Sequence, residues 1–239
     1  MRVLSFSEKG CIRKNNEDSF LVLPLHGIYA VADGMGGHRA GEVASSTALQ
    51  ELEKWAPRLV GLEDQALESG LAEAFVQANR VVYESSTTVP ENAGMGTTLT
   101  VLLVRSETVV IAHVGDSRAY LWRNEALTSL TIDHSLVGEL VRLEQISPEE
   151  AEKHPQRHVL MRAIGADQEI ELDCRSLSLQ TGDVFLLCTD GFSNLISNQE
   201  LAEQFLEPDS WEGRFENLRK LTLERGAPDN FTALCCILE

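Results

Sequence analysis

The chain has 239 residues, 43% of them hydrophobic and 24% charged, a composition that suits a globular chain with a core large enough to need no staples. Its 20 lysines and arginines against 37 aspartates and glutamates give a net charge of −17, which repels nucleic-acid backbones and anionic membrane surfaces alike. No stretch reaches the apolar length of a membrane span and the first residues carry no apolar signal-peptide core, so neither nucleic acid nor membrane is an expected partner and a cytoplasmic protein is expected.

No linker-like stretch or internal repeat divides the chain, so residues 1–239 read as a single domain. In chain order, short apolar runs predict strands over 19–23 and 27–33. Ala44, Ala48, Leu52, Ala56 and Leu59 then recur at helical spacing, as do Leu67, Leu71, Ala74, Phe75, Ala78 and Val82, predicting two amphipathic helices. Residues 97–131 are rich in Val, Leu, Thr and Tyr with turn residues at short intervals, which predicts an antiparallel meander. Helical texture returns over 135–154, with Ser147, Pro148 and Glu150 marking a helix start. Strands follow over 170–179 and 183–191, then a helix opened by the Ser197 and Glu200 capping box, a helix over 211–226 and a last strand from Phe231. Strands and helices come in blocks, which argues for an α+β protein with sheets packed face to face and helices outside. Cys11, Cys174, Cys188, Cys235 and Cys236 form no CxxC spacing and read as reduced thiols without a role.

Three apolar runs each end on an aspartate: "YAVADG" at Asp33, "VVIAHVGD" at Asp116 and "VFLLCTDG" at Asp190. A fourth, Asp229, stands just before the last strand. Strand ends at one edge of a sandwich lie side by side, and convergent carboxylates need a compensating cation. An oxygen-only donor set suits Mg²⁺ or Mn²⁺, and the absence of HExxH or paired Cys/His spacing argues against zinc. Gly34, without a Cβ, lets its carbonyl serve as a further oxygen donor. Taken singly, each Asp-Gly reads first as an ordinary turn, and only their joint placement after apolar runs favours a site; "RKNNED" at 13–18 is equally a solvated charged turn, or a stretch in which Arg13 offers a fork for phosphate oxygens and Glu17 and Asp18 offer acids for coordinated water.

"RKNNEDSF", "VADGMGGHRAGEVAS", "GMGTTLT", "HVGDSRAYL", "TIDHS", "LLCTDGFSN" and "PDNFTALC" occur in an order and at spacings that resemble the metal-dependent type 2C protein phosphatases, especially their compact bacterial members. The resemblance implies a four-layer αββα sandwich, two central antiparallel sheets flanked by helices, that hydrolyses phosphoserine and phosphothreonine on proteins by attack of a metal-bridging water. It implies that Asp33 bridges two Mn²⁺ or Mg²⁺ ions, that the Gly34 carbonyl, Asp190 and Asp229 are further direct ligands, and that Glu17 and Asp18 act through coordinated water. Arg13 matches the phosphate-binding arginine, Asp116 matches the acid that joins Asp190 at a third, weaker metal, and Asn230 matches a supporting neighbour. The implied partners are phosphoproteins and a cognate Ser/Thr kinase whose action the enzyme reverses. Two cations held about 3.5–4 Å apart acidify a shared water and neutralise phosphoryl charge, so no protein nucleophile is required.

One departure concerns the proton donor. Where many eukaryotic members carry His two residues after the bridging aspartate, this chain has Met35. His38 is then either a substitute donor or a polar helix cap, and metal-bound water is the expected donor. Residues 134–165 correspond to a flap beside the site, either shaping substrate choice or a passive excursion. "NAGMGTT" lacks the Gly-Lys-Ser/Thr ending of a P-loop and precedes a strand, which argues against a nucleotide-binding enzyme. A phosphatase-like scaffold that binds without turnover should show broken metal positions, whereas Asp33, Asp190 and Asp229 are all present.

Overall fold

The structure, a computed structural model, describes residues 1–37 and 40–239, and of Pro148, Glu149 and Glu152 the backbone only. His38, the alternative proton donor, therefore lies outside the described residues. One sheet contains β1 (Arg2–Glu8), β11 (Phe231–Ile237), β10 (Val184–Cys188), β7 (Arg118–Arg123) and β8 (Ala126–Ser129), in that order. The other runs β2 (Asp18–Leu23), β3 (Ile28–Met35), β5 (Leu99–Val104), β6 (Thr108–Val114) and β9 (Asp173–Ser178), with the short β4 (Gly96–Thr97) also on β3. All of these pairings are antiparallel.

The continuous apolar runs are explained by burial on both faces. Ile28, Ala30 and Ala32 of β3 pack beneath α1 (Ala40–Val60) and α2 (Leu67–Thr88), while Tyr29 and Val31 point into the layer between the sheets. Across that layer Phe185, Leu187, Leu234 and Cys236 meet Tyr29, Leu102 and Ile111. The alternate residues Leu186, Ala233 and Cys235 face the opposite way, into a core shared with α6 (Asn198–Leu206) and α7 (Trp211–Glu224). Side chains alternate with a period of two along a strand, so a strand between two layers must be apolar at every position. The result is the four-layer αββα order. The two helices predicted from Ala44–Leu59 and Leu67–Val82 bury the residues that set their spacing, and Ser197 and Glu200 form the expected reciprocal cap.

Three features differ from the sequence reading. β1 was not anticipated; it is an edge strand whose partner, β11, lies at the far end of the chain. The meander over 97–131 is divided between sheets, with β5 and β6 in one and β7 and β8 in the other. The crossing point is Gly115, at φ 112°, a conformation that a side chain resists; a Cβ there would also stand 2.5 Å from the Thr98 side chain. Asp190 does not sit in a plain turn but opens α5 (Asp190–Ser193).

Between β8 and β9 the chain makes an excursion carrying α3 (Leu136–Arg142) and α4 (Pro148–Lys153). Its two roots are tied to backbone next to residues of the cleft, Gly115 before Asp116 and Thr97 before Thr98. The His134 N–H donates to the Gly115 carbonyl at 2.7 Å, and Ile164 and Thr97 exchange backbone hydrogen bonds of 3.0 and 2.8 Å. Ser135 and Leu160 form a further bridge, so the excursion closes on itself at its base.

Candidate active site

Asp33 is held in the last turn of pleat on β3 before the strand ends. Its N–H donates to Thr98 Oγ1 at 2.9 Å, its carbonyl accepts from the Thr98 N–H at 2.9 Å and from Thr97 Oγ1 at 2.8 Å, and Thr98 Oγ1 in turn contacts Ser117 Oγ at 2.7 Å. With its backbone fixed on both sides, the carboxylate is left to face the cleft. Gly34 follows because nothing larger fits: a Cβ there would lie 2.0 Å from the Gly41 carbonyl oxygen at the start of α1.

The other predicted residues arrive from both sheets. Asp116 follows the Gly115 crossing, Asp190 follows β10 and Asp229 precedes β11. Together with Arg13, Glu17, Gly34, Met35 and Asn230 they line one cleft of about 370 Å³ at one end of the sandwich. Asp18 does not line it. It stands opposite Asp33 in the β2–β3 pairing, buried, with Oδ2 accepting from Thr189 Oγ1 at 2.8 Å and Oδ1 left without a partner.

Asn230 explains how the loop before β2 is held against the strand that carries Asp229. Its Oδ1 accepts from the Glu17 N–H at 2.9 Å, and its Nδ2 donates to the carbonyls of Lys9 at 2.9 Å and Asn15 at 2.8 Å. Arg13, on this loop, donates to Asp229 Oδ2 at 2.7 Å; both side chains are exposed, so the pair is weakly bound and opens at little cost to an incoming anion.

The electrostatics are those of crowded acids. Burial, followed by the charges of Asp18, Asp190 and Asp116, pushes the Asp33 carboxyl well above the ordinary range. Burial pushes Asp116 up to about 8, with Asp190 and Asp133 adding to it. Burial raises Asp18 to about 7 against the lowering effect of the neighbouring Thr232 and Thr189 hydroxyls, and also raises Asp190. Glu17 is raised by burial as well, with Arg13 opposing. Arg13, whose own pKa is raised by its bond to Asp229, is too little positive charge for this many carboxylates.

Such a donor set fits hard divalent cations: all oxygen, net negative, with a main-chain carbonyl at hand, and behind it the buried Asp18 with a carboxylate oxygen lacking any partner. Among the described residues no three Asp, Glu, His or Cys side chains already close on a single point. Ions there would take part of their coordination from the Gly34 carbonyl and from water, as ions that keep several waters do.

The sequence matches the family model described as protein phosphatase 2C over residues 13–224. The chain belongs to the protein phosphatase 2C family. It is a serine/threonine phosphatase of the bacterial kind, 38% identical over 232 residues to the serine/threonine phosphatase stp of Listeria monocytogenes serotype 4b, covering 95% of this chain and 92% of that one. The serine/threonine phosphatase PstP/Ppp of Mycobacterium tuberculosis superposes with a TM-score of 0.89 at 38% identity, over 100% of this chain and 98% of that one. A PstP catalytic domain solved with two manganese ions gives a TM-score of 0.86 at 34% identity, over 100% and 98%.

Besides Gly36, three residues of this phosphatase's cleft were not singled out from the sequence. Thr98 locks the Asp33 backbone, and Leu160 and His158 approach from the excursion between β8 and β9. The polar stretch around His158 has no periodicity or motif to set it apart; only its return to the cleft in three dimensions does.

Proposed function

We propose that this cleft hydrolyses phosphoserine and phosphothreonine in proteins with two Mn²⁺ or Mg²⁺ ions, reversing the work of a Ser/Thr kinase in the cytoplasm. The observation that carries the reading is the meeting of Asp33, Asp116, Asp190 and Asp229, from four separate stretches of chain, in one cleft. In it Asp33, Asp190, Asp229 and the Gly34 carbonyl would hold the ions directly, Glu17 and, from behind the cleft wall, Asp18 would act through their waters, and Asp116 with Asp190 would offer a third, weaker position. The bound ions supply Lewis acidity and a water that is acidic at neutral pH.

The chain's own residues do the rest. Arg13 exchanges its exposed bond to Asp229 for two phosphoryl oxygens, a geometry that its planar fork favours. Asn230 keeps the Arg13 loop and Asp229 in register, so phosphate and ligand positions move together. Residues 1–239 act as one catalytic domain, tied by the β1–β11 pairing of its two ends, and residues 134–165 form a flap over the cleft whose roots lie beside Asp116 and Asp33.

The test is release of inorganic phosphate from a phosphothreonine peptide by chelator-treated protein with and without added Mn²⁺. Hydrolysis that needs Mn²⁺ and is lost in a folded Asp33→Asn variant supports the reading. Binding of a phosphoprotein with no turnover under any metal supports the scaffold alternative.

A further inference from the structure

Met35 lines the cleft two residues after Asp33 and has no proton to give, so the departing serine or threonine oxygen needs another source. The Thr98 hydroxyl is engaged with the Asp33 N–H and with Ser117, and the Asn230 amide donates to two carbonyls. Arg13 stays protonated throughout any ordinary pH range. Glu17 and the aspartates are committed to cations on the reading above.

His158 is left. It comes from the segment between α4 and Leu160, is exposed at the cleft mouth, and lies near enough to Asp190 for its positive charge to favour the ionised carboxylate there, without forming an ion pair. The Asp33 carboxyl and the Asp229 charge also act on Asp190, and Asp229 is bonded to Arg13, so Asp190 lies within electrostatic reach of both the Arg13–Asp229 pair and His158.

We propose that His158 is the proton donor to the leaving oxygen, a catalytic residue delivered by the excursion and not by the strand that carries Asp33. A water oxygen bonds to phosphorus as the bond from phosphorus to the serine or threonine oxygen breaks. That oxygen keeps the electron pair and takes the proton of the His158 imidazolium. Free alcohol and inorganic phosphate result, the attacking water's proton passes to solvent, and the neutral imidazole regains a proton from solvent. The assignment rests on the reading of this cleft as the hydrolytic site.

The experiment compares His158→Gln, His38→Gln, Asp33→Asn and wild-type protein on a phosphothreonine peptide and on a series of aryl phosphates of graded leaving-group acidity. A phenolate leaves without help, whereas an alkoxide does not, so loss of a donor shows as leaving-group dependence. For His158→Gln, kcat on the peptide should fall about 100-fold, within the range of a positioned general acid. Its loss on 4-nitrophenyl phosphate should be far smaller, and kcat should depend more steeply on leaving-group acidity. The rise in Tm on adding Mn²⁺ should match wild type, because His158 holds no ion. Equal losses on peptide and aryl phosphate, no loss on either, or an abolished Mn²⁺ shift would overturn the assignment. The steepened dependence appearing in His38→Gln and not in His158→Gln would also overturn it. Retained turnover in Asp33→Asn would instead remove the site reading, and the donor with it.

Discussion

Asp18 and Asp33 occupy opposing positions in the antiparallel β2–β3 pair, and the Asp18 charge is among those that push the Asp33 carboxyl up. Like charges opposite one another destabilise a strand pair, so this placement costs stability in the metal-free protein. Replacing one of them should return some of it. Asp33→Asn is expected to raise the stability of metal-free protein by about 1 kcal/mol or more at pH 8, read by urea unfolding, while removing turnover. A variant that is less stable than wild type without metal would show that the acids are not in conflict.

The same crowding fixes the pH dependence. Asp18 and Asp116 have folded pKa values of about 7 and about 8, above their unfolded values near 4. Stability from such groups is fully present below the unfolded pKa and is lost as pH rises through the folded one. Metal-free protein should therefore lose Tm from pH 5 to pH 8. Added Mn²⁺ should restore it, by about 2.7 kcal/mol at a hundredfold excess over Kd, and by more at pH 8 than at pH 6. Differential scanning fluorimetry across pH with and without Mn²⁺ reads both trends.

The four cleft aspartates were legible because each ends or begins an apolar run, and a strand end is a place that a sandwich brings together with other strand ends. The alternation within those runs was not legible. Both faces of β3 and β10 are buried, which erases the period-two signal, so the sequence does not say which sheet a strand joins. The division of the 97–131 meander depends on one backbone conformation at Gly115, which composition does not encode. β1 escaped because its pairing with β11 spans the whole chain. Glu17 and Asp18 read from the sequence as one pair of acids for coordinated water; their different environments, one on the cleft and one buried behind it, are visible only in three dimensions.

Asn230 offers a separable test of positioning. Its amide is buried and makes three hydrogen bonds to the loop that carries Arg13 and Glu17. Asn230→Ala leaves the Glu17 N–H and two carbonyls without partners and should cost about 1–3 kcal/mol. Because the loop carries Arg13, KM for a phosphopeptide should rise as well. A stability loss with unchanged KM would confine Asn230 to a structural part.

Away from the cleft, His113 and His134 stack at 4.7 Å beneath the root of the 134–165 excursion. Burial first, then His134, lowers the His113 pKa to about 4, with Asp133 and Asp173 opposing, and His113 Nδ1 contacts Thr100 Oγ1 at 2.9 Å. A histidine depressed in this way contributes stability above its unfolded pKa that is lost as pH falls through the folded value. Stability should fall between about pH 6.5 and pH 4 by roughly 3 kcal/mol from this residue, and His113→Gln should flatten that slope. Unfolding measured at pH 4, 5, 6 and 7 for both proteins decides it.

Titration calorimetry of Mn²⁺ into wild-type and Asp33→Asn protein tests the central claim most directly. The account predicts that wild type takes up two ions with release of protons from the acidic cluster, and that Asp33→Asn, still folded, loses at least one of them. The same isotherm for both proteins would place the ions elsewhere and contradict it.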